Sequence, residues 1–238
     1  MPAHMKLSVV IPCYNEAATL ETLVGRVLAA DVLGLERELV IVDDGSSDGS
    51  FARAEALAAA DDSIVVARHA ANRGKGAAVR TGFGLASGDV LLVQDADLEY
   101  DPADYGKLLA PIVNKGADVV YGSRFRGGDS TRVLYFWHSV GNRILTQLSN
   151  MFTDLNLSDM ECCYKVFRRE VLERITLNED GFGFEPEITA KISRLAPRAR
   201  IYEVGIGYAG RTYEDGKKIT WRDGAWAIWC ILRYNLFG

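Results

Sequence analysis

The chain has 238 residues, of which 32 are acidic, 27 are lysine or arginine and 4 are cysteine, and its formal net charge is -5. A chain of this length can bury a sizeable core, and we expect a single domain over residues 1–238. The acidic balance argues against a nucleic-acid binder, because such proteins usually carry a basic surplus. The cysteines, two of them adjacent as Cys162 and Cys163, match neither a zinc spacing nor a disulfide framework, which favours core positions and a reducing compartment.

The sequence also bears on membrane insertion. Its start lacks a charged region followed by an apolar stretch, so no signal peptide is expected. The longest apolar run, 225–232, is far shorter than the ~20 residues that span a bilayer. We therefore expect no transmembrane helix.

Strand-like and helix-like patterns alternate over the first hundred residues. Strands are predicted at 7–11, 39–42, 64–67 and 90–93, and helices from after Glu16 to about Ala30, from about Phe51 to Ala60, and from the glycine-rich stretch at 72–78 to about Ala86. This alternation predicts an α/β fold with a mostly parallel central sheet and helices on both faces. Ligands of such sheets bind beyond the carboxyl ends of the strands, where this chain places its polar clusters.

The clusters after the first two strands point to a nucleotide rather than to a dinucleotide cofactor. The run 12–16 replaces the Gly-x-Gly-x-x-Gly fingerprint, which disfavours an NAD enzyme. Asp43 and Asp44 can accept hydrogen bonds from a ribose hydroxyl or a base N–H group. Helix capping is the alternative, since Ser46, Ser47 and Asp48 precede the second helix. We expect Asp48 to cap and Asp44 to bind.

A glycine-rich stretch, 72–78, opens the third helix. Its glycines allow backbone N–H groups to approach a ligand, and a helix N-terminus favours anions. The stretch lacks the Gly-Lys-Ser/Thr and the upstream glycine of a Walker loop, which disfavours that class of NTPase.

Two aspartates follow the fourth predicted strand. Because side chains alternate along a strand, Asp95 and Asp97 are expected to point the same way. Mg²⁺ and Mn²⁺ prefer oxygen ligands, and Mg²⁺ takes one or two carboxylates beside water and substrate phosphates. The pair therefore indicates a metal site suited to a nucleotide diphosphate, with an acidic turn as the alternative.

Five motifs occur in order over the first half of the chain: 9–16, 42–46, 72–76, 95–97 and 122–124. Together they resemble the family 2 glycosyltransferases of the GT-A fold. The later segments 159–168, 208–212 and 216–219 are most similar to the dolichyl-phosphate or polyprenyl-phosphate sugar synthases of that family. The resemblance implies a nucleotide-sugar-binding half at 6–125, an acceptor-binding half at 126–220 and an amphipathic C-terminal helix at 221–238.

The resemblance also implies roles for individual residues. Those expected to bind the nucleotide sugar are Pro12, Tyr14, Glu16, Asp44, Lys75, Asp95, Ala96 and Lys218. Those expected to be catalytic are Asp95, Asp97, Arg124 and Arg211, with Arg124 matching a contact to the lipid phosphate. Asp97 and Glu99 would bind Mg²⁺ or Mn²⁺, although the family often has glutamine where Glu99 stands. Asp159 matches an aspartate whose role the resemblance leaves unspecified.

The implied reaction moves a sugar from a nucleotide sugar, of the GDP-mannose or UDP-glucose type, to a polyprenyl or dolichyl phosphate with inversion. Negative charge builds on the leaving diphosphate, so a metal and cations such as Arg211, Lys217 and Lys218 would stabilise the transition state. A phosphate monoester is ionised near neutral pH and needs no strong base. A hydroxyl acceptor would need one, for which Glu185 and Glu187 are candidates.

We prefer a structural interpretation of these two glutamates. Pro186 between them suits the first turn of a helix, where acidic side chains are also favourable. The Gln-x-x-Arg-Trp motif of processive polysaccharide synthases is absent from the sequence, which counts against a polymerase. Two alternatives stay open: a glycosyltransferase acting on a hydroxyl, and a non-catalytic subunit that binds nucleotide sugars.

Two late stretches, 133–148 and 221–237, mix aromatic, aliphatic and basic side chains at helical spacing. Such helices suit the headgroup region of a membrane, although core or oligomer contacts are the alternative. We expect a cytoplasmic protein that associates peripherally with the cytosolic face of a membrane.

Overall fold

The computed structural model describes residues 5–127, 132–133, 135–210 and 221–237, without the side chain of Trp221. Its strands are β1 (Lys6–Cys13), β2 (Glu36–Asp43), β3 (Ile64–Arg68), β4 (Val90–Val93), β5 (Val119–Ser123), β6 (Lys165–Arg168) and β7 (Ile201–Gly205). Its helices are α1 (Leu20–Ala29), α2 (Ser50–Ala60), α3 (Lys75–Leu85), α4 (Tyr105–Lys115), α5 (Phe136–Thr153), α6 (Arg169–Leu172), α7 (Phe184–Ser193) and α8 (Trp221–Leu236).

The strands form one sheet in the order β3-β2-β1-β4-β6-β5-β7. The pairs β1–β2, β1–β4, β2–β3 and β5–β7 are parallel, and β6 is antiparallel to both of its neighbours. The predicted mostly parallel α/β sheet is therefore confirmed. Strand order reverses at β1, with β2 on one side and β4 on the other, and such a switch point is where open α/β sheets bind ligands.

Both faces of the sheet are buried, which explains the unbroken apolar runs of its central strands. In β1, Val9 and Ile11 belong to the core that includes α1, whereas Val10 belongs to a second cluster with Ala78 of α3. Helices thus cover both faces, as predicted. All four cysteines are buried and free, which confirms their assignment to the core.

The helix α5 has an unusual distribution of side chains. Its buried residues are polar: Asn142, Thr146, Ser149, Asn150 and Thr153. Its exposed residues include Phe136, Trp137, Ile144 and Met151, with exposed fractions of 70%, 78%, 58% and 79%. The helix α8 packs against α5 and α7. None of the described helices is long and apolar enough to cross a bilayer.

Candidate active site

The polar clusters after β1, β2 and β4 lie at one edge of the sheet, because these strands are parallel. Hydrogen bonds join the three loops. The backbone N–H of Asp44 donates to the carbonyl of Cys13 at 2.8 Å, and the Thr19 hydroxyl donates to the carbonyl of Ala96 at 2.7 Å. The structure thus brings the predicted nucleotide-binding segments into one connected surface.

The loop after β1 presents side chains of different exposure. Tyr14 is 38% exposed, whereas Glu16 is buried and its Oε2 lies 3.0 Å from the Thr19 hydroxyl oxygen. Asn15 adopts a left-handed backbone with φ of 54°, and its side chain accepts from the backbone N–H of Ser47 at 2.9 Å. Asparagine tolerates this conformation better than most residues, so the sequence supports the local turn.

Asp44 is buried at the end of β2 and ties this strand to the glycine-rich loop. Its carboxylate accepts from the backbone N–H groups of Arg73 and Gly74 at 3.0 and 2.8 Å. His69 Nδ1 lies 2.6 Å from the same carboxylate, and His69 Nε2 lies 2.9 Å from the Thr81 hydroxyl. The contacts of Asp44 in the structure are therefore with protein, and nucleotide binding by Asp44 stays a prediction.

The prediction that Asp48 is the cap of the second helix is wrong in position. The N-cap of α2 is Gly49, whose φ of 93° requires a residue without a Cβ. The Asp48 carboxylate instead accepts from the backbone N–H groups of Ser50 and Ala17 at 3.0 Å each. It therefore connects the start of α2 to the loop after β1.

The glycines before and within α3 allow a close approach by protein backbone. A Cβ on Gly74 or Gly76 would lie 2.4 or 2.3 Å from the carbonyl oxygens of Asp180 and Glu179, respectively. The backbone N–H of Ala77 donates to the Asp180 carbonyl at 3.0 Å. These glycines thus allow the 178–183 segment to pack against the start of α3.

Lys75 lies between two carboxylates from distant parts of the chain. Its Nζ is 3.0 Å from Asp95 Oδ1 and 3.3 Å from Glu185 Oε1. Burial disfavours the charged ammonium, but the Asp95 and Glu185 carboxylates outweigh it and hold the pKa of Lys75 well above its usual value. The side chain therefore stays cationic and joins the end of β4 to the start of α7.

Asp95 and Asp97 make different contacts, because the strand ends at Val93 and the expected alternation does not extend to them. Asp97 accepts from the backbone N–H of Glu99 at 3.1 Å. Leu98, which lies between Asp97 and Glu99, has a φ of 61°, a strained backbone conformation of a kind that is frequent at ligand sites. Glu99 accepts from the Tyr208 hydroxyl at 2.8 Å.

The acidic side chains after β4 fit a divalent cation. Asp97 and Glu99 are both partly exposed at the sheet edge, and two carboxylates are a donor set that Mg²⁺ or Mn²⁺ accepts when water and phosphate oxygens complete the shell. Within the described ranges, no group of three or more His, Cys, Asp or Glu side chains could hold a metal ion. A cation here would complete its shell with oxygens from water or from a bound diphosphate.

Arg124 lies in a buried ion pair with Asp159. Its Nε and Nη2 lie 2.7 and 2.8 Å from the two carboxylate oxygens, and its backbone N–H donates to the same carboxylate at 3.0 Å. Asn142 donates to Asp159 at 3.0 Å. Asp159, whose role the sequence left unspecified, thus orients Arg124, and contact of Arg124 with a lipid phosphate stays a prediction.

The two glutamates at the start of α7 have separate environments. Both lie in the first turn with Pro186, which confirms the predicted helix start. Glu187 is fully buried and accepts from the backbone N–H groups of Asn178 and Glu179 at 2.7 and 2.8 Å. Glu185 contacts Lys75, and its Oε2 is buried without a hydrogen-bond partner among the described residues. Of the two, Glu185 is the one that belongs to the site.

Three polar residues in or beside the site were missed by sequence reasoning: His69, Glu161 and Glu179. His69 pairs with Asp44, and its only sequence signal is its place directly after β3. Glu161 lies in the segment quoted for the family resemblance. Glu179 accepts hydrogen bonds from Trp226 and Tyr234 of α8, and no sequence motif pointed to it. Arg211, Lys217 and Lys218 lie outside the described residues, so their predicted roles stay predictions.

Comparisons with known proteins agree with this arrangement. Residues 8–176 match the family model described as glycosyl transferase family 2. The chain is 34% identical over 221 residues to the dolichol-phosphate mannosyltransferase of Pyrococcus furiosus, covering 90% of this chain and 61% of that protein. It is 36% identical over 188 residues to the polyprenol monophosphomannose synthase of Mycolicibacterium smegmatis, covering 76% of this chain and 69% of that protein.

A third relative is the undecaprenyl-phosphate 4-deoxy-4-formamido-L-arabinose transferase of Aeromonas hydrophila, at 31% identity over 89% of this chain and 62% of that protein. The chain thus spans less than two thirds of two of these relatives. Among solved structures, glucosyl-3-phosphoglycerate synthase from Mycobacterium tuberculosis, in complex with Mn²⁺, UDP and phosphoglyceric acid, superposes with a TM-score of 0.75. That match has 23% identity and covers 99% of this chain and 80% of the other, so it identifies the fold as GT-A. The chain belongs to glycosyl transferase family 2.

Proposed function

We propose that this protein transfers a sugar from a nucleotide sugar to a polyprenyl or dolichyl phosphate, with inversion at the anomeric carbon. The observation that carries the proposal is the position of Lys75, between Asp95 of the nucleotide-sugar half and Glu185 of the acceptor half. The names of the relatives support a lipid-phosphate acceptor, since those proteins are named for dolichol, polyprenol or undecaprenyl-phosphate substrates.

The donor would bind at the carboxyl ends of β1, β2 and β4. The nucleoside would meet Pro12, Tyr14, Glu16 and Asp44, with the exposed ring of Tyr14 available to a base or ribose. The sugar diphosphate would then extend toward Asp95 and Ala96. Lys75 would orient Asp95 there, because its ammonium stays charged against that carboxylate.

Asp97 and Glu99 are the residues that would hold Mg²⁺ or Mn²⁺, which when bound would supply positive charge to the leaving diphosphate. The Tyr208 hydroxyl bonded to Glu99 keeps this side chain beside the segment that leads to Arg211. Arg211 and Lys218 would add cationic charge near the diphosphate. GDP-mannose and UDP-glucose are both compatible donors.

The acceptor phosphate would meet Arg124, which Asp159 and Asn142 hold in a fixed orientation. A phosphate monoester has a second pKa near 6, so it is a competent nucleophile at neutral pH without a strong base. The ion pair with Asp159 reduces the net charge at Arg124. We therefore expect Arg124 to orient the phosphate more than to attract the phosphate.

The two halves would form a single domain over residues 1–238. Strands from both halves share one sheet, and the 178–183 segment of the acceptor half packs on the start of α3. The C-terminal helix α8 would be part of the same unit, because Trp226 and Tyr234 donate hydrogen bonds to the buried carboxylate of Glu179.

We also infer peripheral contact with the cytosolic face of a membrane, through the exposed residues of α5 and α8. On α5 the polar side chains are buried, and Phe136 and Trp137 are 70% and 78% exposed. Trp229 on α8 and Phe237 directly after it are 49% and 80% exposed. Aromatic side chains of this kind suit the headgroup region, where a lipid acceptor presents its phosphate.

The test is transfer of labelled sugar from GDP-mannose and from UDP-glucose, each with Mg²⁺, Mn²⁺ or excess EDTA, into an organic-extractable polyprenyl phosphate product. Labelled lipid from one donor, lost in EDTA, is the expected result. Nucleotide release without labelled lipid would instead indicate a hydroxyl acceptor or hydrolysis. Tight nucleotide binding without turnover would indicate a non-catalytic subunit.

A further inference from the structure

One partly buried carboxyl group near the site, that of Glu161, has no part in the function proposed above. Glu161 lies on the segment between Asp159, which pairs with Arg124, and Cys163, which is buried beside Asp95 and Lys75. The acceptor phosphate is proposed to meet Arg124, and the donor sugar is proposed to meet Asp95. Glu161 thus lies along the chain between a partner of Arg124 and a neighbour of Asp95, the residues assigned to the two reactants.

Two carboxylate oxygens in this region lack hydrogen bonds. Glu161 Oε1 and Glu185 Oε2 are both fully buried, and neither has a hydrogen-bond partner among the described residues. Glu185 as a residue is only 3% exposed. A buried polar atom without a partner is destabilising, so its retention calls for a ligand or a proton.

We propose that Glu161 works as a neutral carboxylic acid that donates a hydrogen bond to a non-bridging oxygen of the acceptor phosphate. This assignment rests on the proposed function, because it presumes a phosphate monoester as the acceptor. Glu161 would be a binding and positioning residue for the nucleophile, and no proton would be transferred in the step itself. The bond formed is between the phosphate oxygen and sugar C1, and the bond broken is between C1 and the diphosphate.

The surroundings of Glu161 favour the protonated form at neutral pH. Burial and the Glu185 carboxylate of α7 raise the pKa of Glu161 to about 8, against the opposing effects of Lys165 on β6 and Arg124 after β5. Asp159 on the same segment adds to the repulsion. A neutral acid can approach a phosphate dianion and donate to it, whereas an ionised carboxylate would repel it.

The two ionisations give a defined pH window. The acceptor phosphate loses its second proton near pH 6 and becomes the better nucleophile above that pH. Because its pKa is raised to about 8, Glu161 is expected to ionise above that pH and then to repel the phosphate. The kcat/KM for the acceptor is therefore expected to rise through the first ionisation and to fall through the second.

The experiment measures KM and kcat for a short-chain polyprenyl phosphate and for the donor between about pH 6 and pH 9. Glu161→Ala is expected to raise the acceptor KM about 10- to 100-fold, the effect of losing one hydrogen bond to a charged group, and to leave the donor KM within about twofold. Glu161→Gln retains a neutral N–H donor, so we expect a near-normal acceptor KM at neutral pH and no fall in activity near pH 8.

Glu170→Gln, the same substitution at an exposed position on α6, is the matched control and should behave as wild type. Two results would overturn the assignment even if wild type labels the lipid. One is that Glu161→Gln is as impaired as Glu161→Ala, and the other is that the fall in activity near pH 8 is unchanged in Glu161→Gln. If Glu161→Ala does not fold, the comparison of wild type with Glu161→Gln decides alone, since the amide matches the neutral acid in shape. Failure of wild type to label lipid phosphate would overturn the proposed function, and this inference with it.

Discussion

Replacing Asp159 by asparagine tests how much the buried ion pair with Arg124 contributes to stability. Asp159 accepts from the backbone N–H, Nε and Nη2 of Arg124 at 3.0, 2.7 and 2.8 Å, and from Asn142 at 3.0 Å. Both charged side chains are buried, with exposed fractions of 7% for Arg124 and 0% for Asp159. Asparagine keeps the volume of the side chain but removes its charge, so Arg124 would be left buried without a counterion.

The expected loss in the free energy of unfolding is about 3–5 kcal/mol, the usual range when one partner of a buried ion pair is removed. Equilibrium unfolding in urea at pH 7, followed by far-UV circular dichroism, measures it. Asp154→Asn is the matched control: Asp154 pairs with Arg198 at 3.3 Å, but the two side chains are 85% and 72% exposed. Asparagine also tolerates the left-handed backbone of Asp154, so the control should lose at most about 0.5 kcal/mol.

The pH dependence provides a second check on the same variant. Burial raises the pKa of Asp159, but Arg124 and the hydrogen bonds outweigh it and hold this pKa below its ordinary value. A lowered pKa in the folded state gives stability that is present above the unfolded pKa of about 3.9 and is lost as the pH falls through the folded pKa. The difference in the free energy of unfolding between wild type and Asp159→Asn should therefore be constant at pH 5–7 and should decrease below about pH 4. A loss at pH 7 no larger than that of Asp154→Asn would refute the reasoning.

Three further predictions concern the metal, the membrane and the C-terminal helix. Asp97→Ala should abolish sugar transfer and metal-dependent nucleotide binding without unfolding the protein. Normal nucleotide binding in equilibrium dialysis together with normal activity in the transfer assay would contradict the metal assignment. Trp137→Ser should weaken sedimentation with anionic liposomes. The control Leu85→Ser, which removes a 46% exposed side chain on α3, should not weaken it. Equal effects of the two substitutions would exclude α5 as a specific membrane-binding surface. Glu179→Ala should lower the free energy of unfolding by about 2–4 kcal/mol, because Trp226 and Tyr234 lose their buried acceptor, and a urea titration with no shift would contradict that role.

The strands around the switch point could be predicted because their apolar residues follow each other without interruption. The predicted strand 90–93 coincides with β4. The second strand begins at Glu36, three residues before the predicted start. The reason is Glu38, a buried acid that accepts from Ser8 and Ser87 and pairs with Lys6 at 2.7 Å. An acidic residue satisfied by partners from other elements breaks the apolar pattern without breaking the strand.

The site was predictable where strands end and was not predictable where it depends on long-range contacts. The clusters 12–16, 43–48 and 95–99 lie at or just beyond the carboxyl ends of parallel strands, so their proximity follows from the fold class. The contact between Lys75 and Glu185 joins residues far apart in sequence, and no local pattern indicates it. The ion pair of Arg124 with Asp159 is of the same kind. The resemblance located Lys75, Arg124 and Asp159, whereas Glu185 was named only as a candidate base for a hydroxyl acceptor. Only the structure showed that Lys75 contacts Glu185 and that Arg124 pairs with Asp159.

The contacts of Glu179 explain why the start of α3 and the C-terminal helix belong to one structural unit. Its carboxylate receives hydrogen bonds from α8, its backbone N–H donates to Glu187 at the start of α7, and its carbonyl accepts from Arg80 of α3. The same carbonyl lies so close to Gly76 that a Cβ there would be 2.3 Å away. A displacement of α8 would therefore change the packing beside Lys75, whose ammonium connects Asp95 with Glu185. If α8 contacts the membrane as proposed, the geometry of the donor site is coupled through Glu179 to the surface that delivers the acceptor.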